Sequence, residues 1–211
     1  MSVTAEHTQS TRLGPADGAR AVLATVGGAG GAIGACALAL VPTLRVLRGG
    51  ETEAARFVWD AAHGAFAVGL DALGAFFLLP VLVLSALGAV YGGSYLFTYR
   101  DRKSLGIAWS FYGAFVAGMV MVVIARTALL FLLSWEVMSL SAFFLVTFEH
   151  EKREVRRAGW VYLIATHLGV AFLFAVFVLL GRHAGGLEFE AFARMRARLT
   201  RSAWVWRMIT G

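Results

Sequence analysis

Long apolar stretches separated by short polar links dominate this chain. Five stretches each hold about 20 or more mostly apolar residues, and they cover residues 21–41, 72–97, 105–125, 127–148 and 158–180. A helix needs about 20 such residues to cross the hydrocarbon core of a bilayer. No strand-like alternation indicates a barrel, and backbone groups in lipid must pair within the protein. The pattern therefore predicts an all-α membrane protein with five transmembrane helices.

The regions outside the five stretches are short. Residues 1–20 form a polar N-terminal tail, residues 21–181 form the helical bundle, and residues 182–211 follow as an amphipathic segment with a truncated end. In the segment GGLEFEAFARMRARL, apolar positions alternate with arginines at helical spacing, which is typical of a helix in the plane of the membrane surface. The alternative is a connector that packs against another part of the protein. The final SAWVWRMITG begins a further apolar stretch, so we expect a truncated bundle.

Two features of the first stretches indicate packing and capping. The segment GGAGGAIGA contains two pairs of glycines at i and i+4, Gly27 with Gly31 and Gly30 with Gly34. Such pairs let helix backbones approach closely in lipid, and packing within the same protein is favoured over a dimer contact. Asp71 directly precedes the second stretch, where it is predicted to cap the helix N-terminus. Proton binding is the alternative role for Asp71.

Composition and charge support a membrane protein and argue against a nucleic-acid binder. Hydrophobic residues make up 59% of the 211 residues and charged residues 15%, against roughly 25% charged in an ordinary soluble domain. The net charge is +6, but the basic residues cluster at the ends of the apolar stretches, without a basic stripe carrying aromatics. One side of the membrane would carry two, three and four Lys or Arg, nine in all, in the tail and two short links. The excess of basic residues in the short segments on this side predicts that it is the cytoplasmic side, so the N-terminus is predicted to be cytoplasmic.

Glu136 is the main candidate for chemistry. It lies ten residues into the fourth stretch, about 15 Å along a helix and near the bilayer midplane. An ionised carboxylate there costs roughly 2.5–3.5 kcal/mol on insertion scales, so the group needs a partner, water or a proton. Ser139 and Ser141 lie close by at helical spacing, and Trp135 and Met138 are predicted to pack. A proton-relay role is favoured, with a protonated structural glutamate as the alternative.

His167 is the second candidate. It lies ten residues into the fifth stretch, at a depth similar to that of Glu136, and a neutral imidazole can accept a proton at one nitrogen and donate one at the other. Alone it would be a packing residue, but beside Glu136 it indicates a hydrated relay, with Thr166 as a possible hydrogen-bonding neighbour. His150 lies between two glutamates in a link and is interpreted as solvated. No zinc-type spacing, phosphate-binding loop or nucleotide site occurs, so no metal or cofactor is predicted.

Three segments carry a resemblance to a known family. They are WEVMSLSAFFLVTFEHEK, AGWVYLIATHLGVAFLF and GRHAGGLEFEAFARM, and DALGAFFLLP adds to them. Together they resemble the antiporter-like, proton-translocating membrane subunits of respiratory complex I and related hydrogenases, most closely the formate hydrogenlyase and hydrogenase-4 type. The resemblance covers about residues 66–198. It implies that Glu136 belongs to a proton-transfer site coupled to a lysine on a later helix, and that His167 faces the same path.

The resemblance also implies a setting and exposes two departures. Members are multi-pass proteins of the bacterial inner membrane that assemble with other membrane subunits, while redox chemistry occurs elsewhere in the complex. They have many more helices, in two inverted halves. This chain would correspond to the second through sixth helices. The partner lysine is also missing, because Lys103 and Lys152, the only lysines, both lie in links.

The sequence therefore predicts a portion of a proton-translocating subunit. Its expected partners are lipid and other subunits of a hydrogenase or complex I-like assembly, including one that supplies the missing lysine helix. The alternatives are a structural or assembly protein that no longer transports, and a degenerate fragment. The choice between protons and sodium stays open.

Overall fold

The computed structural model describes residues 15–59, 64–100 and 103–210. The chain runs as helix α1 (Pro15–Leu47), strands β1 (Glu53–Trp59) and β2 (Gly64–Leu70), and helices α2 (Ala72–Phe97), α3 (Leu105–Ile124), α4 (Ala128–Val146), α5 (Arg153–Ala184) and α6 (Phe189–Thr210). Helices α1 to α5 are each long and apolar enough to cross a membrane. The predicted fold class, a helical membrane protein with five spans, is confirmed.

Two of the membrane-spanning helices begin directly after a residue whose side chain caps them. Helix α2 begins after Asp71, whose carboxylate accepts a hydrogen bond from the Gly74 amide at 2.7 Å. Helix α4 begins after Thr127, whose hydroxyl accepts one from the Leu130 amide at 3.3 Å. Helix α1 begins at Pro15, before the predicted start, and the rest of the predicted polar tail lies outside the described residues.

Asp71 has the predicted capping role. Its carboxylate also pairs with Arg126 in the α3–α4 link, with 3.1 Å between Oδ2 and Nη2. The Gly74 amide and the Arg126 guanidinium both stabilise the ionised form, so the pKa of Asp71 lies below its ordinary value.

A β-hairpin between α1 and α2 was not predicted; this region was interpreted as a link. Strands β1 and β2 pair antiparallel, with Glu53 opposite Leu70 and Phe57 opposite Phe66. Arg45 at the end of α1 forms an ion pair with Glu53 at 3.1 Å. The hairpin therefore lies at the membrane end where α1 finishes and α2 begins.

Backbone hydrogen bonds join the α3–α4 link to the hairpin and to the start of α6, and join the start of α4 to the α5–α6 link. The Arg126 amide donates to Ala67 at 2.9 Å, and the Arg126 carbonyl accepts from Phe189 at 3.1 Å. The Ala128 amide donates to Leu187 at 2.8 Å. The short α3–α4 link is thus held on both sides by main-chain bonds, and these bonds fix where α4 begins.

Helices α1, α2 and α3 form the core. A buried apolar cluster joins them through Cys36, Leu78, Leu82 and Val116. The predicted glycine contacts are wrong for this part of the chain: a Cβ added at Gly27, Gly30, Gly31 or Gly34 would meet nothing within 4 Å in the described structure. The neighbouring Gly28 lies instead against Trp109 of α3.

Helix α4 packs on α3 on one side and on α5 on the other. Gly118 of α3 allows this close approach, since a Cβ there would lie 2.9 Å from the Cα and Cβ of Met138. Met138 is therefore a packing residue, as predicted. Helix α5 is covered along one side only, and Gly159 is its one buried residue in the described structure.

Candidate functional site

Glu136 lies near the middle of α4 and faces α5. It is eight residues from the first residue of a 19-residue helix, about 12 Å along its axis. Its side chain is 31% exposed in the isolated chain. The helix therefore places the carboxyl group near its middle, on the side next to α5.

The structure brings Glu136 and His167 together. The Glu136 Oε2 and His167 Nε2 atoms are 3.6 Å apart, across the α4–α5 contact. The other imidazole nitrogen, Nδ1, lies 2.9 Å from the Leu163 carbonyl. Because a carbonyl can only accept, Nδ1 carries the proton that it donates there. In the neutral imidazole, Nε2 is then the acceptor nitrogen, and it is directed at the carboxyl group.

The pair has no net charge when the two groups hold one ionisable proton between them. A protonated carboxyl beside a neutral imidazole has no net charge, and neither does a carboxylate beside an imidazolium. A second proton, or none, would leave a net charge at mid-depth, where an unpaired charge is costly. The two uncharged arrangements differ only in which atom holds the proton, so a proton can pass between the carboxyl group and the imidazole without changing the net charge of the pair.

The neighbouring hydroxyl groups bond to their own helices. Ser139 donates to the Glu136 carbonyl at 3.3 Å, and Thr166 donates to the Tyr162 and Leu163 carbonyls at 3.0 Å. The Thr166 hydroxyl thus shares the Leu163 carbonyl with the His167 Nδ1, and its predicted part in the relay stays a prediction. Trp135 packs near Phe131, with ring centroids 5.9 Å apart, as predicted.

Close contacts hold α4 and α5 together on either side of the pair. Towards the hairpin end, Phe131 and Phe177 meet edge to face with centroids 5.7 Å apart. At the opposite end, Gly159 lies against Thr147 and Phe143, where a Cβ would be 3.3 Å from the Phe143 ring. These contacts set the spacing between the two helices at the depth of Glu136 and His167. The sequence carried no signal for them beyond the glycine and aromatic residues themselves.

Both lysines lie at the membrane end opposite the hairpin. Lys152 pairs with Glu149 at 2.9 Å, and Lys103 pairs with Glu151 at 2.7 Å. These lysine hydrogen bonds lower the pKa of both carboxyl groups. His150, predicted to be a solvated link residue, is exposed and lies 3.7 Å from Glu151. Both lysines therefore pair with link carboxylates, and neither pairs with Glu136 in the described structure.

Comparison with known proteins supports the resemblance read from the sequence. Residues 125–210 match the family model described as "NADH:quinone oxidoreductase/Mrp antiporter, TM". Hydrogenase-4 component B of Escherichia coli is 30% identical over 146 residues, which cover 69% of this chain and 21% of that protein. An uncharacterised Mycobacterium tuberculosis protein is 38% identical over 121 residues, covering 56% of this chain and 18% of that protein.

Solved structures share the fold at low sequence identity. A chain of the membrane-bound sulfane sulfur reductase, an archaeal respiratory membrane complex, aligns with a TM-score of 0.64 at 18% identity, covering 91% of this chain and 32% of that one. A chain of the Mrp complex from Dietzia sp. DQ12-45-1b aligns with a TM-score of 0.60 at 20% identity, covering 83% and 20%.

These comparisons define the class of protein. The chain is a multi-pass helical membrane protein whose similarity is to the antiporter-like membrane-subunit family of complex I, Mrp and hydrogenases, as the sequence predicted. It spans about a fifth of the length of the curated relatives that it matches.

Proposed function

We propose that this chain contributes Glu136 and His167 to a proton path in a hydrogenase or complex I-like membrane assembly. The observation that carries the proposal is the 3.6 Å approach of the carboxyl oxygen to the acceptor nitrogen of the imidazole. A carboxyl and an imidazole can exchange a proton without creating net charge. A relay in lipid requires that property.

The path needs groups that these helices do not contain. None of the described helices carries a lysine, and the chain's two lysines pair with link carboxylates. Transport therefore requires partner subunits or segments that supply a cationic group next to the exposed side of α5. The names of the similar proteins support such a setting, since they include a hydrogenase component and respiratory and antiporter complexes. We propose a bacterial inner membrane location with the N-terminus in the cytoplasm.

Infrared spectroscopy of the purified full chain in lipid nanodiscs tests the pair directly. A carboxylic acid at Glu136 gives a C=O stretch that shifts in heavy water. We expect Glu136→Gln to remove this band and His167→Gln to shift its frequency, because the imidazole lies beside the carboxyl group. Glu154→Gln, which removes a carboxyl group from the exposed start of α5, is the matched control and should leave the band unchanged.

A band that persists in Glu136→Gln would refute the assignment of the proton to this residue. A band lost in Glu136→Gln but unaffected by His167→Gln would reduce Glu136 to a protonated structural glutamate. That outcome favours the alternative function, a membrane protein of structural or assembly role.

Affinity purification from native membranes tests the assembly. The chain, tagged at its N-terminus, should co-purify with hydrogenase or quinone-oxidoreductase subunits, including one with lysine-bearing helices. Glu136→Gln should preserve this association and slow proton uptake by the assembly. Recovery of the tagged chain alone would contradict a transport role.

Protease access to the tag in inverted but not in right-side-out vesicles would support a cytoplasmic N-terminus.

A further inference from the structure

A small cationic cleft lies between the end of α5 and the first half of α6, far along the chain from Glu136. It has a volume of about 190 Å³ and is lined by His183 of α5 and by Arg194, Met195, Arg198 and Leu199 of α6, among others. Every titratable side chain in its lining is basic. We infer that this cleft binds the phosphate group of an anionic phospholipid.

The cationic groups are available to a ligand. Arg194 faces Glu190 at 3.9 Å, but both side chains are mostly exposed, so this contact is weak and the guanidinium can turn towards the cleft. The His183 Nδ1 is 2.8 Å from the Leu179 carbonyl and donates to it, which leaves Nε2 for a ligand. Two guanidinium groups and an imidazole form a donor set that suits phosphate oxygens, because arginine can bind phosphate through two parallel hydrogen bonds.

The cleft is the right size and at the right depth for a lipid headgroup. Its volume is several times the ~30 Å³ that a water molecule occupies, which is enough for a phosphodiester. Helix α5 has 32 residues and is about 48 Å long, longer than a ~30 Å hydrocarbon core, and its apolar stretch ends near residue 180. His183 follows this stretch in the last turn of α5, where the headgroups are expected. Met195 and Leu199 add apolar lining that suits the glycerol and the first acyl carbons.

The walls of the cleft are held by packing. Phe192 of α6 stacks on Phe177 of α5 with ring centroids 6.3 Å apart, and Phe189 lies 5.9 Å from the same ring. Ala191, between them, is buried and lines the cleft. The start of α6 is therefore fixed against α5, so the arginines one and two turns later project from a defined position.

Native mass spectrometry of the delipidated full chain in detergent tests the inference. The probes are phosphatidylglycerol and phosphatidylcholine with the same acyl chains. We expect the wild type to retain phosphatidylglycerol about tenfold better than phosphatidylcholine, the ratio given by one strong charge-assisted interaction. The double substitution Arg194→Gln with Arg198→Gln should abolish the preference. The matched control, Arg153→Gln with Arg157→Gln, removes the same charge from the other end of α5 and should keep it.

Further variants make the result specific. Arg194→Lys with Arg198→Lys should give an intermediate preference, since lysine keeps the charge but lacks the planar fork. His183→Gln leaves both guanidinium groups in place and should lower the preference several-fold, which provides a test even if the double glutamine variant does not fold. Helix content by circular dichroism identifies such a variant.

Four outcomes decide the inference. Equal retention of both lipids by the wild type would overturn it, as would equal losses in the cleft variant and the matched control. Displacement of bound phosphatidylglycerol by inorganic phosphate at a similar concentration would support a phosphate site, with its ligand coming from solution. If inorganic phosphate does not displace the bound phosphatidylglycerol and only added phosphatidylglycerol does, the result would support a phospholipid as the ligand.

Discussion

The contact between Gly28 and Trp109 offers the sharpest test of how α1 joins the bundle. A Cβ on Gly28 would lie 2.6 Å from two side-chain carbons of Trp109, whereas carbon atoms pack at about 3.5–4 Å. The substitution Gly28→Ala therefore requires α1 and the indole to separate by roughly 1 Å. Trp109 is only 6% exposed, and its ring meets Tyr112 edge to face at 5.6 Å, so it cannot turn aside freely.

Overpacking of this kind costs about 1–3 kcal/mol. Gly27→Ala is the matched control, because it adds the same methyl group one position away, where nothing lies within 4 Å. It should be neutral, or stabilising by up to about 1 kcal/mol, since alanine favours a helix over glycine. The two variants should thus differ by at least about 1 kcal/mol, with Gly28→Ala the less stable.

Unfolding of the full chain in mixed micelles, titrated with sodium dodecyl sulfate and followed by circular dichroism, measures this difference. Gly28→Ala should unfold at a lower mole fraction of denaturing detergent than both the wild type and Gly27→Ala. If the two variants unfold at the same mole fraction, α1 does not pack on Trp109 as described. A loss confined to Gly27→Ala would instead restore the glycine pairs as the packing surface.

Two further predictions concern the ends of the helices. Asp71→Asn keeps a capping oxygen but loses the ion pair with Arg126. Because the pKa of Asp71 is lowered in the folded chain, its extra stabilisation is complete above about pH 4 and is lost as the pH falls through the lowered value. The stability gap between wild type and Asp71→Asn should therefore close on acidification, and a constant gap from pH 7 to pH 3 would contradict the pair. Gly159→Ala should separate α5 from Thr147 and destabilise the chain. Gly169→Ala, which has open space around it, should leave the stability unchanged. The same detergent titration measures both variants.

The helices and the depth of the candidate pair could be predicted from the sequence because each depends on local order. Apolar length defines a span, an acidic or hydroxyl residue before it marks the start, and counting along a helix gives depth. Glu136 and His167 could be matched in this way without knowledge of the packing. Their 3.6 Å approach also depends on how α4 and α5 turn about their axes, which the sequence did not indicate.

The features that were missed depend on contacts between distant residues. The hairpin strands are only seven residues long, and alanine and glycine weaken their strand pattern. The ion pairs that join Arg126 to Asp71 and Arg56 to Glu188 link residues 55 and 132 positions apart, too far for any local pattern to indicate. Glycine spacing indicated that some face of α1 packs closely, but it could not identify which face turns inward.

Helices α4 and α5 are held together by contacts at both ends, with Glu136 and His167 between them. Phe131 and Phe177 lock one end, and Gly159 against Thr147 locks the other. Sliding one helix along the other would break both supports, whereas bowing would strain neither of them greatly. The distance between the Glu136 carboxyl group and the His167 imidazole therefore depends on how far the middle of α5 bends away from α4. A partner that leans on the open side of α5 could then close or widen this gap without moving either end.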